Sequence, residues 1–225
     1  MHLHTFSIVA RDEATGGFGV AVATARPAVG ALVPFVSLHG GIATQARVNT
    51  EIGCRGIALL EQGVPIGVAL GTLVQGDAER EIRQVHGVDR HGVFCHTGGD
   101  CIPWCGHHEG DAFSVAGNML AGPRVVEAMV ETYRRARREG RELSERLLLT
   151  LEAGQAAGGD KRGKQSAALL VASREPRVTH NLRVDDHAEP VAELRRLYDL
   201  VAQHSLKLER EYGPEGLRLF GRVKY

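Results

Sequence analysis

The sequence predicts an α+β protein in which helices cover packed antiparallel sheets. Three observations predict it: a strand, turn, strand signal at the start of the chain, amphipathic helices arriving in pairs, and a block order of strands, helices, strands, helices, strands and a last helix. A doubly wound sheet alternates strand and helix strictly, and this chain does not.

Residues 5–11 alternate imperfectly, residues 12–17 have turn composition with the Gly16-Gly17 pair, and residues 18–24 (FGVAVAT) are β-rich and apolar, which together signal a hairpin. Short runs at 32–38 and 41–46 flank Gly40-Gly41 and extend the same sheet. The period then changes. Residues 51–63, with Ile52, Ile57, Leu59 and Leu60, predict a helix ending at Gly63, and residues 65–75 a second one opened by Pro65. Strands are expected at 81–89, 92–97 and 113–117.

Pro123 opens a helix with the stripe Val125, Val126, Met129, Val130 and Tyr133, and the basic stretch 134–141 complements its dipole as a solvated last turn. Residues 143–157 predict another helix, closed by Gly158-Gly159. Residues 165–173 read as a buried strand, 178–184 as its partner and 190–211 as the closing helix, with Val191, Leu194, Leu197, Leu200 and Val201 on one face. The tail 212–225 carries no signal. One domain, residues 1–225, with a core from about 5 to 200 and a C-terminal helical tail, is the expected organisation.

Composition narrows the function classes. The 27 basic and 27 acidic residues balance to zero formal charge, so no global field attracts nucleic acid or an anionic membrane. The 28 Gly, about 12% of the 225 residues against a background of about 7%, imply many tight turns. Residues 27–46 lack Asp, Glu, Lys and Arg, but Pro27, Gly30, Pro34, His39 and Gly40-Gly41 break them into strands and a turn, so no membrane span is expected. Four Cys make no disulfide scaffold and the N-terminus lacks a signal-peptide pattern, which predicts a cytoplasmic protein.

Three constellations carry chemistry. His86, His91, Cys95, His96, Cys101, Cys105, His107 and His108 fall within 23 residues. Cys101, Cys105 and His107 offer three zinc-type ligands on one loop, but the spacing is not a standard pair, and the expectation is buried thiols and polar loop histidines, with no metal and no cofactor. In residues 158–166, Gly158-Gly159 leads into Asp160 and Arg162, able to hold an α-amino and an α-carboxylate group, or else to form a solvated turn with its own ion pair. Asn118 follows an apolar strand, where its amide can donate to a developing oxyanion or serve as a turn residue.

The blocks TFSIVARD (5–12), ATQARVN (43–49), HTGGDCIPWCGH (96–107), GNMLAGPRVVEAM (117–129), GGDKRGKQSAALLV (158–171) and LRVDDHAEPVAELRRL (182–197) occur in order and resemble the DUF1028 family from about residue 5 to 200. That family is grouped with the N-terminal nucleophile (Ntn) hydrolases. The resemblance implies a four-layer α-β-β-α sandwich of two antiparallel sheets.

It also gives Thr5 a role. In Ntn hydrolases an N-terminal Thr, Ser or Cys attacks an amide carbonyl and its own α-amine, with a reference pKa of about 7.7 to 8.0, is the general base. The implied function is an amidohydrolase cleaving a small amide or peptide-like substrate through Thr5, with Asn118 and the backbone N–H of Gly98 as oxyanion donors and with Gln45, Asn49, His96, Asp160 and Arg162 lining the pocket. In the family pattern the first motif directly follows the initiator Met, whereas here Met1-His2-Leu3-His4 precedes it. While His4 is joined to Thr5 the nitrogen is a non-basic amide. Another start site, cleavage of the His4–Thr5 bond, or a nucleophile elsewhere such as Ser7 each resolve this. A rival function is a non-catalytic small-molecule (amino-acid-like) binding protein that keeps the fold and has a blocked Thr5. Apolar surface on the sheets and closing helix favours a homo-oligomer, a dimer.

Overall fold

A computed structural model describes residues 2, 3, 5–175 and 178–213; the predicted tail beyond 213 lies outside them. In chain order the strands are β1 (His2–Leu3), β2 (Thr5–Arg11), β3 (Phe18–Thr24), β4 (Pro34–Ser37), β5 (Gly40–Arg47), β6 (Arg83–Asp89), β7 (Val93–Thr97), β8 (Gly106–Glu109), β9 (Phe113–Asn118), β10 (Ser166–Ala172) and β11 (His180–Val184). The helices are α1 (Thr50–Glu61), α2 (Ile66–Gln75), α3 (Arg124–Arg138), α4 (Leu143–Ala156) and α5 (Pro190–Tyr212).

The expected hairpin is β2 and β3, registered from Thr5 opposite Thr24 to Arg11 opposite Phe18, with Gly16 at φ 71° in its turn. It forms the middle of a six-stranded antiparallel sheet ordered β11-β10-β3-β2-β9-β8. The other sheet, also antiparallel, runs β1-β5-β6-β7, and β4 shares the outer edge of β5 with β1, pairing residues 34–37 while β1 pairs Arg47 and Ala46.

Alternation along β2 shows why its sequence is apolar on both faces. Phe6, Ile8 and Ala10 join Met129, Tyr133, Leu147, Leu151 and Leu194 in a core under α3, α4 and α5. Val9, with Val20, Val22, Ala43, Val88 and Ala168, belongs to a second core between the sheets. Ile42 and Val85 meet Ile52, Leu60, Ile66 and Leu70 of α1 and α2 in a third. Three cores separate four layers, helix, sheet, sheet and helix.

Helix ends are tied to this frame. Asn49 caps α1 by accepting from the Glu51 N–H at 3.1 Å, and the buried Asp89 accepts from the Ile66 N–H at the start of α2 at 2.8 Å. Arg146 of α4 reaches back to Asp12 in the hairpin turn at 2.9 Å.

Several expectations need adjusting. The strand expected over 32–38 shrinks to β4, because a 3-10 turn at Val29–Ala31 leads into it, and the runs 32–38 and 41–46 do not extend the hairpin's sheet: β4 and β5 pair with each other in the opposite one. A second 3-10 turn, Arg80–Ile82, delays β6 to Arg83. β8 was unforeseen: Gly-His-His-Glu has no apolar residue to mark a strand. Among the described residues no helix is long and apolar enough to cross a membrane.

Candidate functional site

The inner face of the six-stranded sheet ends in a polar row. Ser166, Thr24, Thr5 and Asn118 lie directly opposite one another across β10, β3, β2 and β9, all buried. Facing them from the other sheet is a second row, Gln45, Gln84 and Thr97 across β5, β6 and β7, and behind it Ala43, His86 and Cys95. Strand alternation puts these side chains between the sheets, where aliphatic residues would otherwise pack.

They satisfy one another. Gln84 Nε2 donates to the backbone carbonyls of Gly117 (3.0 Å) and Gly106 (3.1 Å) and to Thr97 Oγ1 (2.9 Å). Gln84 Oε1 accepts from Asn118 Nδ2 at 3.0 Å and from Gln45 Nε2 at 2.8 Å. Gln45 Oε1 accepts from Ser7 Oγ at 2.7 Å, Ser7 Oγ meets His86 Nε2 at 2.8 Å, and His86 Nδ1 meets Ser114 Oγ at 2.8 Å. A file of hydrogen bonds runs between the sheets from Asn118 to Ser114.

Its direction follows from the chemistry of its members. A backbone carbonyl only accepts, so Gly106 and Gly117 fix which end of the Gln84 amide is NH2. Gln84 Oε1 then requires donors, which turns Gln45 so that its oxygen faces Ser7. Ser7 therefore gives its proton to Gln45 and accepts from His86 Nε2–H, leaving Nδ1 to accept from Ser114. Complete burial pushes the His86 pKa down to about 3, so the ring is neutral and holds this single tautomer. Ser7, with its proton committed to an amide oxygen, has no base and is not an activated nucleophile.

Thr5 differs from its neighbours. It is fully buried, and its Oγ1 has no hydrogen-bond partner among the described residues. Buried hydroxyls are nearly always bonded, so an orphan calls for an explanation such as a catalytic role. Asn118 stands opposite it. One Asn118 amide hydrogen goes to Gln84; the other has no protein partner among the described residues. β9 ends at Asn118 and the chain turns through Met119 at φ 48°, while Gln45 is followed within β5 by Ala46 at φ 66°, so two amides of the file stand next to left-handed residues that L side chains rarely favour.

Asp160 joins this end of the sheet. Its backbone bridges Leu120, its Oδ2 accepts from the Ala25 N–H at 3.0 Å and from Arg162 Nη2 at 2.7 Å, and its Oδ1 accepts from the Arg162 N–H and Nε. The pair clasps itself, with Asp160 buried and Arg162 partly open to solvent.

The structure thus brings Thr5, Asn118 and Gln45 together and sets Asp160 and Arg162 beside them. It places the other three elsewhere. Asn49 caps α1 and donates to Asp77 at 3.1 Å. His96 pairs with Val85, which faces the helices, and its Nε2 meets the Arg80 carbonyl at 2.9 Å, on the far side of the sheet from Thr5. The Gly98 N–H already donates to the Arg83 carbonyl at 3.0 Å, and the Glu81 backbone approaches where a Cβ would stand. Gln84, His86, Ser114 and Thr97 were missed as functional partners; their signal was polar side chains at every second position of strands otherwise built for burial.

No disulfide joins Cys54, Cys95, Cys101 and Cys105. Cys101 donates to the Arg83 carbonyl and Cys105 to the Cys101 carbonyl, and with His107 they form no converging ligand set. Burial first, then the charge of Glu109, pushes the Cys95 thiol up, and burial pushes Cys101 up to about 11.

A cleft of about 570 Å³ opens at the opposite end of the sheets, lined among others by Arg11, Leu38, His39, Arg90 and Arg174.

Fold and site together define a class: an α+β sandwich with a hydrogen-bonded polar file between its sheets and an orphan threonine hydroxyl at one end. The chain belongs to the family of unknown function DUF1028, whose model matches residues 5–194. It is similar to protein SPO2555 from Silicibacter pomeroyi, of the same family, with 32% identity over 88% of this chain and 85% of that one and a TM-score of 0.80. No curated protein matches.

Proposed function

We propose that this protein is an amidohydrolase of the N-terminal nucleophile type, with Thr5 as nucleophile and the Ntn arrangement of four layers. The observation that carries the reading is the buried, unpartnered Thr5 Oγ1 opposite the half-satisfied amide of Asn118. Cleavage of the His4–Thr5 bond frees the Thr5 amine. That amine takes the Oγ1 proton as Oγ1 bonds to the substrate carbonyl carbon, and the free Asn118 N–H donates to the oxyanion. The C–N bond then breaks, the proton passes from the Thr5 amine to the departing nitrogen, and water hydrolyses the Thr5 ester. The substrate class is a small amide or short peptide, with Arg162 offered to a carboxylate once it leaves Asp160.

The test compares chain released with Thr5 first and chain retaining His4, each incubated with activated esters and amides and weighed intact. An acyl adduct on Thr5, seen only in the released chain and absent in Thr5→Ala, supports the reading; no adduct and no turnover with the released chain across the panel overturns it.

A second reading, a non-catalytic binder of small molecules, is favoured by the full burial of Thr5 while a cleft opens at the other end. Ligands that raise the melting temperature of the His4-retaining chain without being consumed would support it.

A further inference from the structure

We propose that Cys95, His107 and Glu109 hold a zinc ion at the rim where the edge strands of the two sheets meet, leaving a fourth position for water. The three donor atoms come from different sheets, Cys95 from β7 and His107 and Glu109 from β8, yet all lie within 4.8 Å of one another. Register accounts for the convergence. Cys95 stands opposite His86, whose ring points between the sheets, and His107 and Glu109 stand opposite Ala116 and Ser114, of which Ser114 meets that ring. His108, between them, turns the other way against Phe113.

A tetrahedral zinc ion with bonds of about 2.0–2.3 Å needs donors roughly 3.3–3.8 Å apart, a contraction within reach of side-chain rotation. Thiolate, imidazole and carboxylate are zinc's preferred protein donors. His107 Nδ1 is held by Thr97 Oγ1 at 2.8 Å, which leaves Nε2 for the metal and orients the ring as outer partners of metal-bound imidazoles do. Binding displaces the Cys95 thiol proton to solvent. The ion would fasten β7 to β8, neither of which has a strand partner on its outer edge among the described strands.

The test strips the full chain with a chelator, reloads it with zinc, removes free metal by gel filtration and counts zinc per chain; cobalt(II) serves as the spectroscopic probe. The expected result is about one zinc per chain and a thiolate-to-cobalt charge-transfer band that persists in Cys101→Ser and Cys105→Ser and vanishes in Cys95→Ser. Because His107 and Glu109 are exposed, His107→Ala and Glu109→Gln test the site without disturbing a core, and each should weaken zinc at least about tenfold. Wild-type chain that retains no zinc overturns the proposal. So does a band that survives Cys95→Ser but is lost in Cys101→Ser or Cys105→Ser, which would move the site to the loop cysteines.

Discussion

Thr5 and Asn118 face each other across adjacent strands, one with a buried hydroxyl that has no partner among the described residues and the other with an amide half committed to Gln84. Both groups are incomplete at the same spot, where the file ends, although its inner members Gln84, Gln45, Ser7 and His86 bond to one another and to Ser114.

An orphan hydroxyl contributes no stability to lose. Thr5→Val, which keeps the shape and removes the oxygen, should leave the unfolding free energy from urea titration unchanged or raise it by up to about 1 kcal/mol, while abolishing acylation. A loss of more than about 1 kcal/mol would reveal a structural partner for Oγ1.

Asn118→Ala in the released chain should lower kcat by about 10²–10³, the cost of one oxyanion donor. His96→Ala, on the other face of the sheet, should leave kcat unchanged. Equal losses in both variants would argue against Asn118 as the donor.

Gln84 is the hub, bonding to five partners. Gln84→Ala strands buried groups on both sheets and should cost about 3 kcal/mol in denaturant unfolding. Gln165→Ala, which removes an exposed bond to Asp186, should be close to neutral. If both cost the same, the file adds nothing to the folded state.

Acid should weaken the protein through two ion pairs. At Asp77 burial acts to raise the carboxyl, but hydrogen bonds from Arg83, the Glu79 backbone and Asn49, with the Arg83 charge, outweigh it and hold the pKa below 3.8. At Asp12 burial is likewise outweighed by Thr15 and Arg146. A carboxyl whose folded pKa lies below its unfolded one stabilises fully above the unfolded value and loses that contribution as pH falls through the folded one. Stability should therefore drop below about pH 4, and Asp77→Asn or Asp12→Asn should flatten that limb of a pH series of denaturation curves. An unchanged acid limb in both variants would show that other carboxyls control it.

Most strands and helices were legible in the sequence because local pattern encodes them, whereas the four layers were implied by the family resemblance. Residues 5–11 alternate imperfectly and 18–24 are β-rich and apolar on either side of a glycine turn, and 123–138 carry a stripe at helical spacing, so β2, β3 and α3 follow. β8 was not legible, since an edge strand paired on one side, and filled with Gly, His and Glu, buries too little to need an apolar pattern. The site was harder. Thr5 came into view through family resemblance; a threonine in a strand signals nothing alone. The partners that complete the file lie 28 to 79 residues apart in sequence, most on opposite sheets, and no local window contains them. His96 shows the converse: it adjoins Thr97 in the motif but faces the other side of β7. Neighbours in a motif alternate sides of a strand, so sharing a motif does not mean sharing a pocket.

The file has a mechanical consequence. Two sheets held only by aliphatic contacts tolerate small sliding, because one methyl group substitutes for another. Bonds with fixed donors and acceptors do not, and a shift of β6 along β2 would unmake the Gln84, Ser7 and His86 links together. The two halves of the sandwich are keyed to one alignment, so the geometry around Thr5 is set by groups more than thirty residues away and is kept or lost as a unit.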